Sequence, residues 1–381
     1  MRIGIITYWS WDNYGSILQC FALQKCLRNM GHEPFLIRYD PDLDMRDPLS
    51  MRLLRKLNPL ELARAVKRRI RRTAFADNAT LLKRKEAFAA FISERLAVSE
   101  RVYPDGETLR ADPPSAQAYI AGSDQIWNQG RDCGLAATAK LNQSYMLDFG
   151  VDDVRRIAYA ASWGGSGVSR ALRGQIGRFL DRFVAVSVRE TSGAGYCASC
   201  GRADAKVMPD PVFLLERKDY ENISAVPSAA PGVAPYVFVY YLHNKSALGL
   251  RQIRKAVEKH GKRLIVVTAN DEFGDGNSLV PTPEEWLGLI RNAAYVITNS
   301  YHCSLFSLIF GKPFDRIPQR GFTHSQNDRF ETLIRQWGLP VNAVLSPAGL
   351  LRQCVSADCE ESLLHMRKEG IGFLKDALER S

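Results

Sequence analysis

Two α/β units, each built on a parallel sheet and facing the other across a cleft, are the expected architecture on three grounds. The chain has 381 residues, more than a single hydrophobic core usually serves. Apolar strand-like runs alternate with helical patterns along nearly all of it, as parallel sheets with crossover helices require. That alternation breaks once, at the Pro-rich stretch 221–235, and then restarts. The expected partition is a first unit over 1–220 with a helical insertion at 48–97, a linker over 221–235, a second unit over 236–353 and a closing helix over 354–381.

The chain opens with the strand IGIIT, crosses a loop holding two tryptophans and a tyrosine, and enters a helix near Ser16 that Gly31 closes. FLIRYD is the second strand. AYIAGSD, RIAYAAS and FVAVSV follow as buried strands, short and rich in small or β-branched residues. Beyond the linker, YVFVYYLH, RLIVVTAN and YVITNS supply a second sheet. Helices ending at His260, over PEEWLGLIRNA and over YHCSLFSLIFG accompany it.

Composition narrows the class. Apolar residues at 46% and aromatics at 10% indicate a globular chain. No apolar run approaches the roughly 20 residues of a membrane span, and the N-terminus is a first strand rather than a signal peptide. The formal charge of +10 is concentrated. Residues 51–72 hold nine Lys/Arg against one Glu, a local +8 that leaves about +2 for the rest. Such a segment is either a solvated helical pair or a patch for anionic lipid headgroups or a polyanionic acceptor. Without interleaved aromatics or a recognised motif, nucleic acid is not an expected partner. Cys197 and Cys200 form one CxxC, but Cys354 and Cys359 lack matching spacing, so reduced thiols and no metal are expected.

Ligands of parallel sheets bind beyond the carboxyl ends of the strands, so chemistry is sought there. After the first strand, Asp12-Asn13-Tyr14-Gly15-Ser16 opens a helix. Asn13 or Ser16 suits the cap, Gly15 permits close approach of a ligand, and Trp9, Trp11 and Tyr14 suit a sugar-stacking wall or an interdomain contact. After the third, Ser123, Asp124, Gln125 and Trp127 form a dense polar cluster, in which Asp124 suits a sugar hydroxyl. Arg189 ends FVAVSV as a forked donor for carboxylate or phosphate, or as the partner of Glu190 or Asp210. Asn299, Ser300, Tyr301 and His302 join a strand to a helix start, where amides favour an anion and an imidazole can move a proton; His302 also shares an apolar face with Leu305, Phe306 and Ile309. No phosphate-binding loop, dinucleotide fingerprint, metalloprotease motif or nucleophile elbow is present in the sequence.

IGIITYWSWDNYGSILQCFALQKCL, YIAGSDQIWN, YAASWG, VSVRETSG, MPDPVFLL, YVITNSYHCSLFSLIFGKPF and NDRFETLI stand in the order found in the polysaccharide pyruvyl transferase family. The chain resembles that family over nearly its whole length, outside the basic insertion and the linker. The resemblance implies two Rossmann-like domains arranged as in GT-B glycosyltransferases. It also implies transfer of pyruvate from phosphoenolpyruvate to a sugar of a surface or extracellular polysaccharide, or of its lipid-linked precursor, as a ketal with release of phosphate. Phosphoenolpyruvate is then a co-substrate, with no further cofactor. The implied location is cytoplasmic, with residues 51–72 holding the enzyme at the inner face of the plasma membrane. Arg189 and His302 match the family's functional arginine and histidine. Many members place another arginine two residues before that histidine; this chain has Ser300, so some anion contact has to come from elsewhere. The resulting donor set is Arg189, Asn299, Ser300 and Tyr301. His302 is the acid, Asp124 orients or deprotonates a hydroxyl, and Trp9, Trp11, Asn13, Tyr14, Gly15, Ser123, Gln125 and Trp127 face the acceptor. A nucleotide-sugar glycosyltransferase and a non-catalytic glycan-assembly protein are the rival readings.

Overall fold

The computed structural model describes residues 1–10, 12–45, 79–130, 133–165, 167–226, 235–242, 246–268, 279–318, 327–341, 343–352 and 359–380. Trp11, the basic segment 51–72 and Cys354 lie outside them.

Seven parallel strands make the first sheet: β1 (Arg2–Ile6), β2 (Glu33–Tyr39), β3 (Val98–Tyr103), β4 (Ala118–Ala121), β5 (Arg155–Ala161), β6 (Ala185–Val188) and β7 (Lys206–Val207). Their order across the sheet is β3-β2-β1-β4-β5-β6-β7. The second sheet holds β8 (Tyr236–Tyr241), β9 (Arg263–Thr268), β10 (Tyr295–Thr298) and β11 (Phe314–Arg316), ordered β11-β10-β8-β9, again all parallel. Its central strands β8 and β10 are buried throughout, as are β4 and β6 of the first sheet. Helices on both faces demand such continuous apolar runs.

The described helices are α1 (Tyr14–Asn29), α2 (Ala79–Arg95), α3 (Gly106–Ala111), α4 (Gly134–Tyr145), α5 (Arg173–Leu180), α6 (Thr191–Ser199) and α7 (Arg217–Glu221), then α8 (Leu250–Lys259), α9 (Pro283–Asn292), α10 (Tyr301–Ile309), α11 (Asp328–Trp337) and α12 (Cys359–Glu379). Of the sixteen residues of α1, thirteen are buried. The helix lies against β2 and the Pro211–Leu214 turn on one side, and against α9 and α10 of the second unit on the other. A single apolar cluster therefore runs from Ile3 and Leu18 through Tyr14 to Trp286, Phe306 and Phe238. The two units share a core at the seam.

Other contacts tighten the seam. Arg84 on α2 donates to the Thr268 carbonyl at 2.6 Å, and Arg95 lies 3.5 Å from Glu284. Residues 222–226, the start of the expected linker, are held down rather than loose: the Ala225 amide donates to Glu284 at 2.9 Å. From the last helix, Arg367 donates to the Leu215 carbonyl at 3.0 Å, and Arg155 of β5 donates to the Arg380 carbonyl at 2.6 Å. The chain thus ends against its first unit.

Candidate functional site

Both sheets have a point where strand order reverses, between β1 and β4 in the first and between β8 and β10 in the second. Open α/β sheets bind ligands beyond the carboxyl ends at such points. Asn13 follows β1 and caps α1, its Oδ1 accepting from the amides of Gly15 at 2.9 Å and Ser16 at 3.3 Å. Asp124 follows β4 in a left-handed conformation, φ 73°. Its carboxylate accepts from Ser16 Oγ at 2.5 Å and from the Gln125 amide at 2.8 Å. On the other side, Ser300 caps α10, placing His302 in the first helical turn.

These ends converge. Arg189, at the end of β6, is 2% exposed, and its Nη1 donates to Asp210 Oδ2 at 2.8 Å. His302 Nε2 lies 3.3 Å from the same carboxylate oxygen, across the seam. Arg189 Nη2 is 3.8 Å from Asp124 Oδ1, too far for a hydrogen bond. The Arg189 guanidinium sits 4.6 Å from the centroid of the Tyr301 ring, and that of Arg329, from α11, sits 4.8 Å from it. A buried and a half-buried cation therefore crowd one aromatic ring. Arg189 Nε and Nη2, Arg329 Nε and His302 Nε2 are all buried without hydrogen-bond partners among the described residues.

Electrostatics follow this geometry. Burial opposes the charge of Arg189, but Asp210, Tyr301 and Asp124 outweigh it and raise its pKa. Burial alone would raise the Asp210 carboxyl; the close approach of His302 and the charge and hydrogen bond of Arg189 hold it well below its ordinary value. Arg329 makes no salt bridge among the described residues, and burial together with the neighbouring Arg189 charge lowers it to about 10 against the weaker pull of Tyr301, Asp124 and Glu190. Glu190 is pushed up by burial, incompletely offset by Arg189 and by its bonds from Ser162 and Trp163. The ensemble is a cluster of two guanidiniums and the carboxylates of Asp210 and Asp124, with several buried donors unpartnered among the described residues.

The polysaccharide pyruvyl transferase profile matches residues 13–314. The chain belongs to the polysaccharide pyruvyl transferase family. No curated protein matches the chain. Among solved structures, one from Listeria monocytogenes assigned as a UDP-N-acetylglucosamine 2-epimerase superposes with a TM-score of 0.50 at 10% identity, covering 99% of this chain and 90% of its own. The glycosyltransferase SnogD from Streptomyces nogalater gives 0.42 at 13% identity, covering 100% of this chain and 98% of its own. At 10% identity the likeness to the Listeria protein concerns the fold alone, and with the two parallel sheets it gives two Rossmann-like domains in the GT-B manner.

Within this pyruvyl transferase family member the expected site residues fare unequally. Arg189, His302, Asp124 and the ring of Tyr301 come together. Gly15 lies directly against the His302 imidazole, so close that a side chain there would collide with Nδ1. Gln125 is half-buried at the rim, its Oε1 accepting from Asn128 at 2.9 Å. Trp9 is half-buried, its Nε1 donating to the Tyr39 carbonyl at 2.8 Å.

Five of the expected site residues are buried with their polar groups engaged inside the protein. Tyr14 is fully buried, stacked on Trp286 at 5.2 Å with its hydroxyl on the Pro281 carbonyl, so it takes the interdomain use that the sequence also allowed. Trp127 is equally buried, edge-on to Trp163 and bonded to the Tyr145 carbonyl. Ser123 is buried and donates to Ala160. Asn299 spends its amide on Leu242 and Ser246, and Ser300 spends its hydroxyl on the cap. These last two shape the turn. Asp210 and Arg329, which were not among the expected site residues, complete it. Both lie within family segments, MPDPVFLL and NDRFETLI, and the missing arginine at position 300 signals that a cation comes from elsewhere.

Proposed function

We propose that this protein transfers pyruvate from phosphoenolpyruvate to a saccharide hydroxyl pair, forming a cyclic ketal and releasing phosphate. The observation that carries the reading is the pair of guanidiniums on Tyr301, with unpartnered donors beside the His302 imidazole. A small ligand bearing both a carboxylate and a phosphate suits two forked donors and the amide-rich start of α10. Arg329 supplies the anion contact that Ser300 lacks.

In the proposed reaction His302 protonates the methylene carbon, whose double-bond electrons form the new C–H bond. One sugar hydroxyl attacks the resulting oxocarbenium-like carbon and gives up its proton, with Asp124 placed to orient or accept it. Phosphate then departs with the C–O bonding pair, and the second hydroxyl attacks and loses its proton. In this assignment residues 1–220 form chiefly the acceptor side and residues 236–353 chiefly the donor side. Trp9, Gly15 and Gln125 line the approach.

Phosphate release from phosphoenolpyruvate, measured over a panel of acceptor sugars, tests the reading. His302→Ala is expected to lose ~10²-fold or more of the rate. A fully active variant, or protection of the seam by a nucleoside diphosphate and not by phosphoenolpyruvate, would overturn it. The basic segment 51–72 fits attachment to anionic lipid, where a lipid-linked acceptor would reside. Co-sedimentation with liposomes is expected to rise with their anionic content.

A further inference from the structure

His302 reaches the site from the second unit, yet the group that faces it belongs to the first. Asp210 is fully buried, and each of its carboxylate oxygens is engaged. Oδ1 accepts from the Val212 amide at 3.2 Å, capping the Pro211–Leu214 turn and fixing the side chain. Oδ2 receives Arg189 Nη1 at 2.8 Å and stands 3.3 Å from both Ser123 Oγ, whose shorter bond goes to the Ala160 carbonyl, and His302 Nε2. On its Nδ1 side the imidazole is packed against Gly15. The ring is therefore wedged between a glycine backbone and a carboxylate.

The other charged or titratable groups around the ring do not substitute for Asp210. Tyr301 meets it edge-on at 5.5 Å. Arg189 and Arg329 lie over Tyr301 and carry positive charge. Asp124 faces Arg189 rather than the imidazole, and Glu190 is bonded to Ser162 and Trp163.

We infer that Asp210 is a positioning residue with two opposed effects: it fixes the His302 ring with a proton on Nε2, and it competes with the anionic donor for Arg189. The first effect follows from a carboxylate selecting the protonated nitrogen of a facing imidazole. The second follows from charge: Asp210 occupies one prong of the fork that the donor is to fill, and it repels that donor. The lowered pKa of Asp210 agrees with a carboxylate that stays ionised between Arg189 and His302.

This inference rests on the proposed use of phosphoenolpyruvate for its kinetic arm alone. In Asp210→Asn, kcat is expected to fall ~10-fold or more, the range for lost outer partners of a working histidine. KM for phosphoenolpyruvate is expected to stay level or decrease, because a negative charge has left the anion site. A purely structural role would instead lower kcat and raise KM together; that result, or an unchanged kcat, would overturn the inference. The second arm needs neither turnover nor the variant. In wild-type protein labelled with 15N-histidine, the His302 signal, assigned by its loss in His302→Gln, is expected to show a proton on Nε2 at neutral pH. A bare Nε2 overturns the inference even if Asp210→Asn fails to fold. If wild-type protein does not turn over phosphoenolpyruvate, the proposed function fails while the nitrogen signature still decides the role of Asp210.

Discussion

Arg329 carries the least balanced charge in the site, because it shares the Tyr301 ring with Arg189 and has no ion-pair partner among the described residues. An arriving anion relieves that imbalance, so Arg329→Gln is expected to raise KM for phosphoenolpyruvate ~10-fold or more, the scale of one charged hydrogen bond. The same change removes a frustrated cation, so thermal unfolding is expected at an equal or higher temperature. An unchanged KM would sink the assignment. Gly15→Ala probes the other side of the imidazole. Its new methyl group meets the His302 ring, and overpacking of this kind costs ~1–3 kcal/mol, read as a lower unfolding temperature together with lost activity. Arg189 and His302 were legible in the sequence because each ends a strand where a parallel sheet exposes its ligands. Arg329 was not, since it lies at a helix start far along the chain and only tertiary folding brings it to Tyr301; Asp210 was foreseen as a partner for Arg189, but its approach to His302 across the seam was not.

At the scale of elements, the opening turn shows where aromatic density misleads. Tyrosine and tryptophan beside a helix start suit a sugar platform and an interdomain core equally well, because both uses bury a flat ring and satisfy one polar atom. Here Tyr14 stacks on Trp286 and contacts Phe88 and Tyr240, so it joins α1 to α9, α2 and β8. Tyr14→Ala is accordingly expected to destabilise the protein by about 3–5 kcal/mol, and Tyr14→Phe by about 1 kcal/mol. Denaturant titration checks both, and the affinity for acceptor is expected to be unchanged in Tyr14→Phe. The long central strands were plain in the sequence because burial on both faces leaves unbroken apolar runs. β3, β7 and β11 were missed: VSERVY alternates polar residues at a sheet edge, while two- and three-residue strands carry no periodicity of their own.

For the whole molecule, the seam converts local acidities into global stability. Asp210 titrates below its ordinary value of 3.8, so its contribution is present above that value and is lost as pH falls through the depressed one. Glu190 titrates above its ordinary 4.5, so its contribution is present below 4.5 and is lost as pH rises through the raised value. Both side chains are buried, Asp210 at the contact with His302 and Glu190 on Ser162 and Trp163, so neither effect is screened away by solvent. The two substitutions should then diverge with pH. Asp210→Asn is expected to destabilise strongly at neutral pH, and by progressively less as the medium is acidified below 3.8. Breaking one side of a buried pair costs about 3–5 kcal/mol at most sites, which sets the scale at neutral pH. Glu190→Gln should have its least favourable effect below pH 4.5, where the native carboxyl is neutral in both states, and should improve relative to wild type as pH rises. Because one apolar cluster spans both units, each change should move a single cooperative transition rather than one unit's alone. Urea unfolding followed at pH 3, 5 and 7.5 by tryptophan fluorescence and far-ultraviolet dichroism would test both points. Parallel pH dependences for the two variants, or two separated transitions, would contradict a seam that ties acidity to the stability of the entire chain.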